Sequence, residues 1–185
     1  GETSAAIAAA AGEALGMIST LYAYTGGLPD PTELAESRCY SQMNRYAEKL
    51  LVAKLKAFFA CAHDGVFGGS ITSSVGLAIC LGMTTAGQSE KVAATVSRLA
   101  ASAEKLCPLG SGLFVCFESD ASAFAQCVDR VIDCRACALL RGVGGLGVDC
   151  DVHDDGAANG TCAGVCGNAL LETNMWGQAE TCDDG

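Results

Sequence analysis

The stretch DPTELAESRCYSQMNRYAEKLLVAKLKAFFAC, Asp30 to Cys61, decides the fold class. Asp30 is a ready N-cap, Pro31 suits the first helical position because its missing N–H would have no partner there, and Glu33 follows three residues after the cap. Behind that start Leu34, Cys39, Met43, Tyr46, Leu50, Val52, Leu55, Phe58 and Phe59 recur largely at helical spacing up to Cys61. Arg38, Arg45, Lys49, Lys54 and Lys56 are expected mostly on another face, and the helix is expected to end before Gly65. An amphipathic helix this long must bury its apolar stripe against other elements, and its neighbours also read as helices, so the chain is expected to be all-α.

Working outward, Thr3 or Ser4 can cap a run from Ala5 to Tyr24 that stops at Gly26-Gly27. That run is built on alanine and glycine and carries Glu13, which reads as a closely packing helix rather than a membrane span. Ile71 to Cys80 is apolar between Gly68-Gly69 and Gly82, and its helical neighbours favour helix over strand. Ser89 heads Val92, Val96, Leu99, Ala103 and Leu106, a spacing of three and four that stops at Cys107-Pro108. Ser119 or Asp120 begins a last helix through Phe124, Cys127, Val131, Cys134 and Ala138, closing near Arg141-Gly142. The expectation is a disulfide-stapled bundle of four to five helices with an irregular, acidic, cysteine-rich C-terminal segment.

The 185 residues are half hydrophobic and only 17% charged, with a mean hydropathy of +0.32, which excludes a disordered chain. Eleven basic residues against 21 acidic ones, a net charge of -10, exclude a nucleic-acid partner, which would need clustered Lys and Arg for phosphates. Charge also divides the molecule. Residues 1–141 carry acids and bases in near balance, whereas residues 142–185 carry Asp149, Asp151, Asp154, Asp155, Glu172, Glu180, Asp183 and Asp184 with no Lys or Arg. A helical region, 1–141, and an acidic tail, 142–185, follow from that division.

Twelve cysteines form a load that a reducing cytosol would oxidise or fill with metal. A single CxxC, Cys134 and Cys137, and two histidines do not make a zinc ribbon or finger, and Ala138 in place of histidine excludes covalent haem. Disulfides are therefore expected throughout, at Cys39, Cys61, Cys80, Cys107, Cys116, Cys127, Cys134, Cys137, Cys150, Cys162, Cys166 and Cys182, in an exported chain whose signal has been removed. Cys127, Cys134 and Cys137 lie on one stripe of the last helix and point toward a neighbour as structural staples, with partners elsewhere in the chain rather than with each other. Connectivity is not deducible from spacing.

Four carboxylates, Asp149, Asp151, Asp154 and Asp155, fall within seven residues next to Gly156 and between Cys150 and Cys162. Hard oxygen ligands held by a stapled loop suit calcium; the competing reading is a solvated acidic loop, since the spacing is not that of an EF-hand. His153 reads as an exposed loop residue, and His63 as a charge at a helix C-terminus. Asn159-Gly160-Thr161 fits an N-glycosylation site.

Cys166-Gly167-Asn168-Ala169-Leu170-Leu171-Glu172, followed by Glu180-Thr181-Cys182-Asp183-Asp184-Gly185, resembles the opening of the Myxococcus cysteine-rich repeat, with Ala169 where the repeat carries glycine. The resemblance implies a small disulfide-bonded extracellular module of the kind found in secreted and surface proteins of delta-proteobacterial type. No nucleophile elbow, HExxH, phosphate loop or dinucleotide fingerprint is present, so neither catalysis nor a nucleotide cofactor is expected. The leading functional expectation is an exported structural subunit that self-assembles into a surface layer, sheath or filament. The alternative is a monomeric secreted module that holds calcium and a small apolar ligand or protein partner.

Overall fold

The computed structural model describes residues 34–107, 116, 120–144, 146–155 and 162. They form α1 (Leu34–Phe67), α2 (Ser74–Ala78), a 3-10 helix (Ile79–Thr84), α3 (Glu90–Leu106), α4 (Ala121–Gly144) and α5 (Cys150–Asp155), with no strand among the described residues. The chain is all-α and disulfide-stapled, as its sequence leads one to expect. The Ala5–Tyr24 run, the Asp30–Glu33 start, Asn159–Thr161, Cys166, Cys182 and the repeat-like segment lie outside the described residues.

The 34 residues of α1 span about 51 Å at 1.5 Å per residue. Cys39, Met43, Ala47, Leu50, Lys54 and Phe58 are buried along one face at steps of three and four. Lys54 therefore stands on the core face, in phase with Leu50 and Phe58, and not with the other basic residues. Val52 and Phe59 are exposed, so the buried stripe is narrower than the run of apolar letters. The helix also passes through Gly65 instead of stopping before it. Ile71 folds back so closely that a Cβ on Gly65 would collide with its Cδ1, and the Ser70 and Ile71 amides donate to the Gly65 carbonyl at 2.9 and 3.0 Å. Gly69 makes the reversal at φ 73°, a left-handed value that glycine adopts without Cβ strain.

After the turn, Ser73 caps α2, accepting at Oγ from the Gly76 amide at 3.2 Å. The helix tightens into the 3-10 segment, which runs through Gly82 to Thr84, so the single helix expected over Ile71–Cys80 is replaced by two short pieces shifted toward the C-terminus. Ser89 occupies the cap position of α3, although its hydroxyl makes no capping bond, and Cys107 leaves the helix in an extended conformation before Pro108. Asp120 caps α4 by accepting from the Ala123 amide at 2.8 Å. That helix continues past Arg141-Gly142 to Gly144, anchored on both sides by the buried Leu140 and Leu146.

The three long helices alternate in direction. Cys107, just past α3, is bonded to Cys39 near the start of α1, while Glu90 and Lys91 at the start of α3 face Ala60 and Cys61 near the end of α1. α4 runs with α1. Its first turns, with Phe124, Val128 and Ile132, share an apolar cluster with Cys39, Met43 and Leu50, and its later turns, with Cys137 and Leu140, share a second cluster with Phe58. Cys80, Leu81, Leu146, Cys150 and Cys162 complete the second cluster, so residues from both sides of the charge boundary at 141/142 pack together.

Ten described cysteines pair as Cys39–Cys107, Cys61–Cys80, Cys116–Cys127, Cys134–Cys162 and Cys137–Cys150. Cys134 and Cys137 pair apart from each other, and the sulfur stripe of α4 is tied to flanking segments rather than to another long helix. The five bonds fall into two sets. Two close within residues 39–107 and three within residues 116–162, and among the described residues none joins one set to the other. Such a density of disulfides indicates an oxidising, non-cytoplasmic compartment. No helix among the described residues is long and apolar enough to cross a membrane.

Candidate functional site

A buried polar layer separates the two apolar clusters. Lys54 of α1 is fully buried, and its Nζ donates to Asp133 Oδ1 of α4 at 2.7 Å and to the Thr84 carbonyl at 3.2 Å. Asp129, one turn earlier on α4, brings its own Oδ1 within 2.7 Å of Nζ. That contact is an ion pair off the hydrogen-bonding direction, and this buried oxygen has no hydrogen-bond donor among the described residues. Thr84, at the end of the 3-10 helix, donates from Oγ1 to the Leu81 carbonyl at 2.7 Å. The same oxygen lies 3.0 Å from His153 Nε2 of α5 and 3.5 Å from Asp133 Oδ1. Since the hydroxyl proton is used on Leu81, the imidazole is the donor in the Thr84 contact, which assigns it the Nε2–H tautomer.

The layer holds two carboxylates around one ammonium in a region that disfavours uncompensated charge. Asp133 is the more enclosed carboxylate, and burial pushes its pKa up to about 7, with the Asp129 charge adding to the rise and the Lys54 ammonium opposing it. Burial also lowers the His153 pKa, and the Lys54 charge lowers it further. The arrangement therefore keeps two carboxyl groups in contact with the Lys54 side chain in an enclosed layer, with a hydroxyl and a neutral imidazole alongside.

The acidic tail contributes differently from its expected role. Residues 150–155 are helical, and His153 is half-buried on α5 rather than exposed in a loop. Asp149 caps that helix, accepting from the Asp151 amide at 3.0 Å, and Asp151 is buried and accepts from the Cys162 amide at 3.0 Å. Two of the four expected calcium ligands thus serve backbone amides, and the side chains of Asp154 and Asp155 lie outside the description. Among the described residues no group of three acidic, histidine or cysteine side chains is placed to hold a metal. His63 is not at the helix end. It sits exposed one turn before it, with Nδ1 3.1 Å from Asp64 Oδ1 and its ring 4.5 Å from that of Phe67.

A separate cleft of about 640 Å³ lies between α1, the 3-10 helix and the start of α3. Val52, Ala53, Ala57, Ala60 and Met83 supply apolar lining, while Lys49, Lys56 and Lys91 bring cationic side chains to it alongside Asp64 and Glu90.

Comparison of the chain with protein-family models, with curated proteins and with solved structures returns no match. Lys54, Thr84, Asp129 and Asp133 fall in no motif that the sequence presents. One signal was available for them: Lys54 occupies a position in the three-to-four spacing of buried α1 residues, where a lone charge requires buried partners.

Proposed function

We propose that this protein is an exported structural subunit that associates with copies of itself through an apolar end of the bundle. The observation that carries this reading is the set of large apolar side chains left in solvent along the second half of α1, on α2 and at the start of the 3-10 helix. Phe67 is 81% exposed, Val75 78% and Ile79 76%, and Val66 and Phe59 are more than half exposed. An unburied group of this kind marks an association surface, and a second copy of the same chain is the partner always present with it. Dense disulfide closure suits a chain that must persist outside the cell. The likeness of residues 166–185 to an extracellular cysteine-rich repeat supports the same setting. Sedimentation of the oxidised protein over a concentration series tests the idea: concentration-dependent association is expected, abolished in Phe67→Ser/Ile79→Ser. A strict monomer at all concentrations would sink it.

The cleft favours a second reading, a monomeric binding module. Its apolar lining and three lysines suit a small amphipathic acid. Calcium at Asp149, Asp151, Asp154 and Asp155 belongs to this reading as well. Melting in calcium and in chelator separates the possibilities: a calcium-dependent rise in Tm supports a bound ion, and superimposable curves count against it.

A further inference from the structure

We propose that Lys54 and Asp133 condense into an intramolecular amide that joins the two disulfide-closed parts of the molecule. The connectivity supplies the setting. Residues 39–107 and 116–162 each carry their own disulfides, and no described disulfide crosses between them. The buried polar layer spans that seam, with Lys54 and Thr84 on one side and Asp129, Asp133 and His153 on the other.

The geometry supplies the reactants. Nζ is enclosed and 2.7 Å from Asp133 Oδ1, so the carboxyl carbon is one bond further on, and the Thr84 carbonyl at 3.2 Å holds the amine in place. Asp129 Oδ1, also 2.7 Å from Nζ and without a hydrogen-bond donor, is the base. Transfer of one proton from the ammonium to Asp133 gives an amine and a carboxylic acid and erases two buried charges, which enclosure favours. The Nζ lone pair then adds to the Asp133 carboxyl carbon while Asp129 takes a proton from Nζ. Asp129 returns that proton to the departing hydroxyl, the C–O bond breaks and one water leaves. The products are a secondary amide, one water and Asp129 again as carboxylate, with no oxidant or external reactant consumed. Enclosure both brings the groups together and keeps out the water that would reverse the step. A buried ion pair that never condenses has the same neighbours but a different mass, so the two are separable by one measurement.

The test is the intact mass of the full chain after complete reduction. A mass lower than the sequence mass by one water is expected, together with a branched peptide linking Lys54 to Asp133 after proteolysis. The full sequence mass with only linear peptides at both positions would overturn the proposal, as would a water loss mapping instead to a succinimide at Asp64-Gly65, Asp155-Gly156 or Asp184-Gly185. A protease site inserted between residues 108 and 115 gives a second readout. Nicked, reduced and denatured wild type is expected to migrate as one species, and separation into two fragments would contradict the link. Asp129→Asn, with its helical circular dichroism retained, is expected to carry the full mass; a branched peptide in that variant would remove Asp129 from its assigned role.

Discussion

Replacing Lys54 by methionine keeps most of its length and its helix propensity but strips Asp129 and Asp133 of their counter-charge. Relative to the unlinked chain, loss of one partner from this buried ionic group costs about 3–5 kcal/mol, which urea denaturation of Lys54→Met is expected to reproduce. The fully apolar Lys54→Met/Asp129→Leu/Asp133→Leu is expected to be less destabilised than Lys54→Met alone, because no charge is then stranded. His153 sets a pH dependence. Its pKa lies below the ordinary 6.5, so the folded chain favours the neutral ring, and that contribution is complete above pH about 6.5 and lost as pH falls toward the lower folded value. Asp133, where unlinked, works in the opposite sense: held at about 7 against an ordinary 3.8, it contributes fully below pH about 4 and loses that contribution as pH rises through 7. In the condensed chain Asp133 no longer titrates, and the fall in Tm between pH 7 and pH 5 is expected to shrink in His153→Gln. Of these residues only Lys54 announces itself in sequence, by its phase. Thr84 and His153 are 69 positions apart and Lys54 and Asp133 are 79 apart, so only packing brings them together.

Among the elements, the α1–α2 turn is the most sharply constrained. Gly65→Ala drives a methyl into Ile71 and is expected to cost about 1–3 kcal/mol by thermal denaturation, as overpacking does elsewhere. Asp120→Ala removes the cap of α4 and is expected to cost about 1 kcal/mol. The same comparison explains which elements could be read in advance. α3 is bracketed by a cap-position serine and a Cys-Pro stop, and its apolar residues keep one phase, so its span follows directly from the letters. Ile71–Cys80 has no polar face to set a phase. There the fold is chosen by the Ser73 cap and by burial of Cys80 and Leu81, neither of which an apolar run specifies. Glycine at 65 and 142 resembles an end signal, yet both sit in the last turn of a helix, because a single glycine costs a helix only about 1 kcal/mol relative to alanine.

For the molecule as a whole, the Cys39–Cys107 bond closes the longest of the described loops, with a sequence separation of 68. Its removal in Cys39→Ala/Cys107→Ala is expected to cost about 4 kcal/mol in a chain-entropy account, measured by denaturant unfolding under oxidising conditions. The cysteine count foretold a stapled fold but not which sulfurs meet, since pairing depends on the helix directions. The pattern of pairing has one more consequence. Cys61–Cys80 nests inside Cys39–Cys107, Cys137–Cys150 nests inside Cys134–Cys162, and Cys116–Cys127 stands alone, so none of these loops interleaves with another. On the proposed export route, with the N-terminus leading, both bonds of the earlier set can be sealed once Cys107 has emerged, before Cys116 meets the oxidant. Scrambling within one set would then leave the other correctly paired, and repair by an isomerase would stay local.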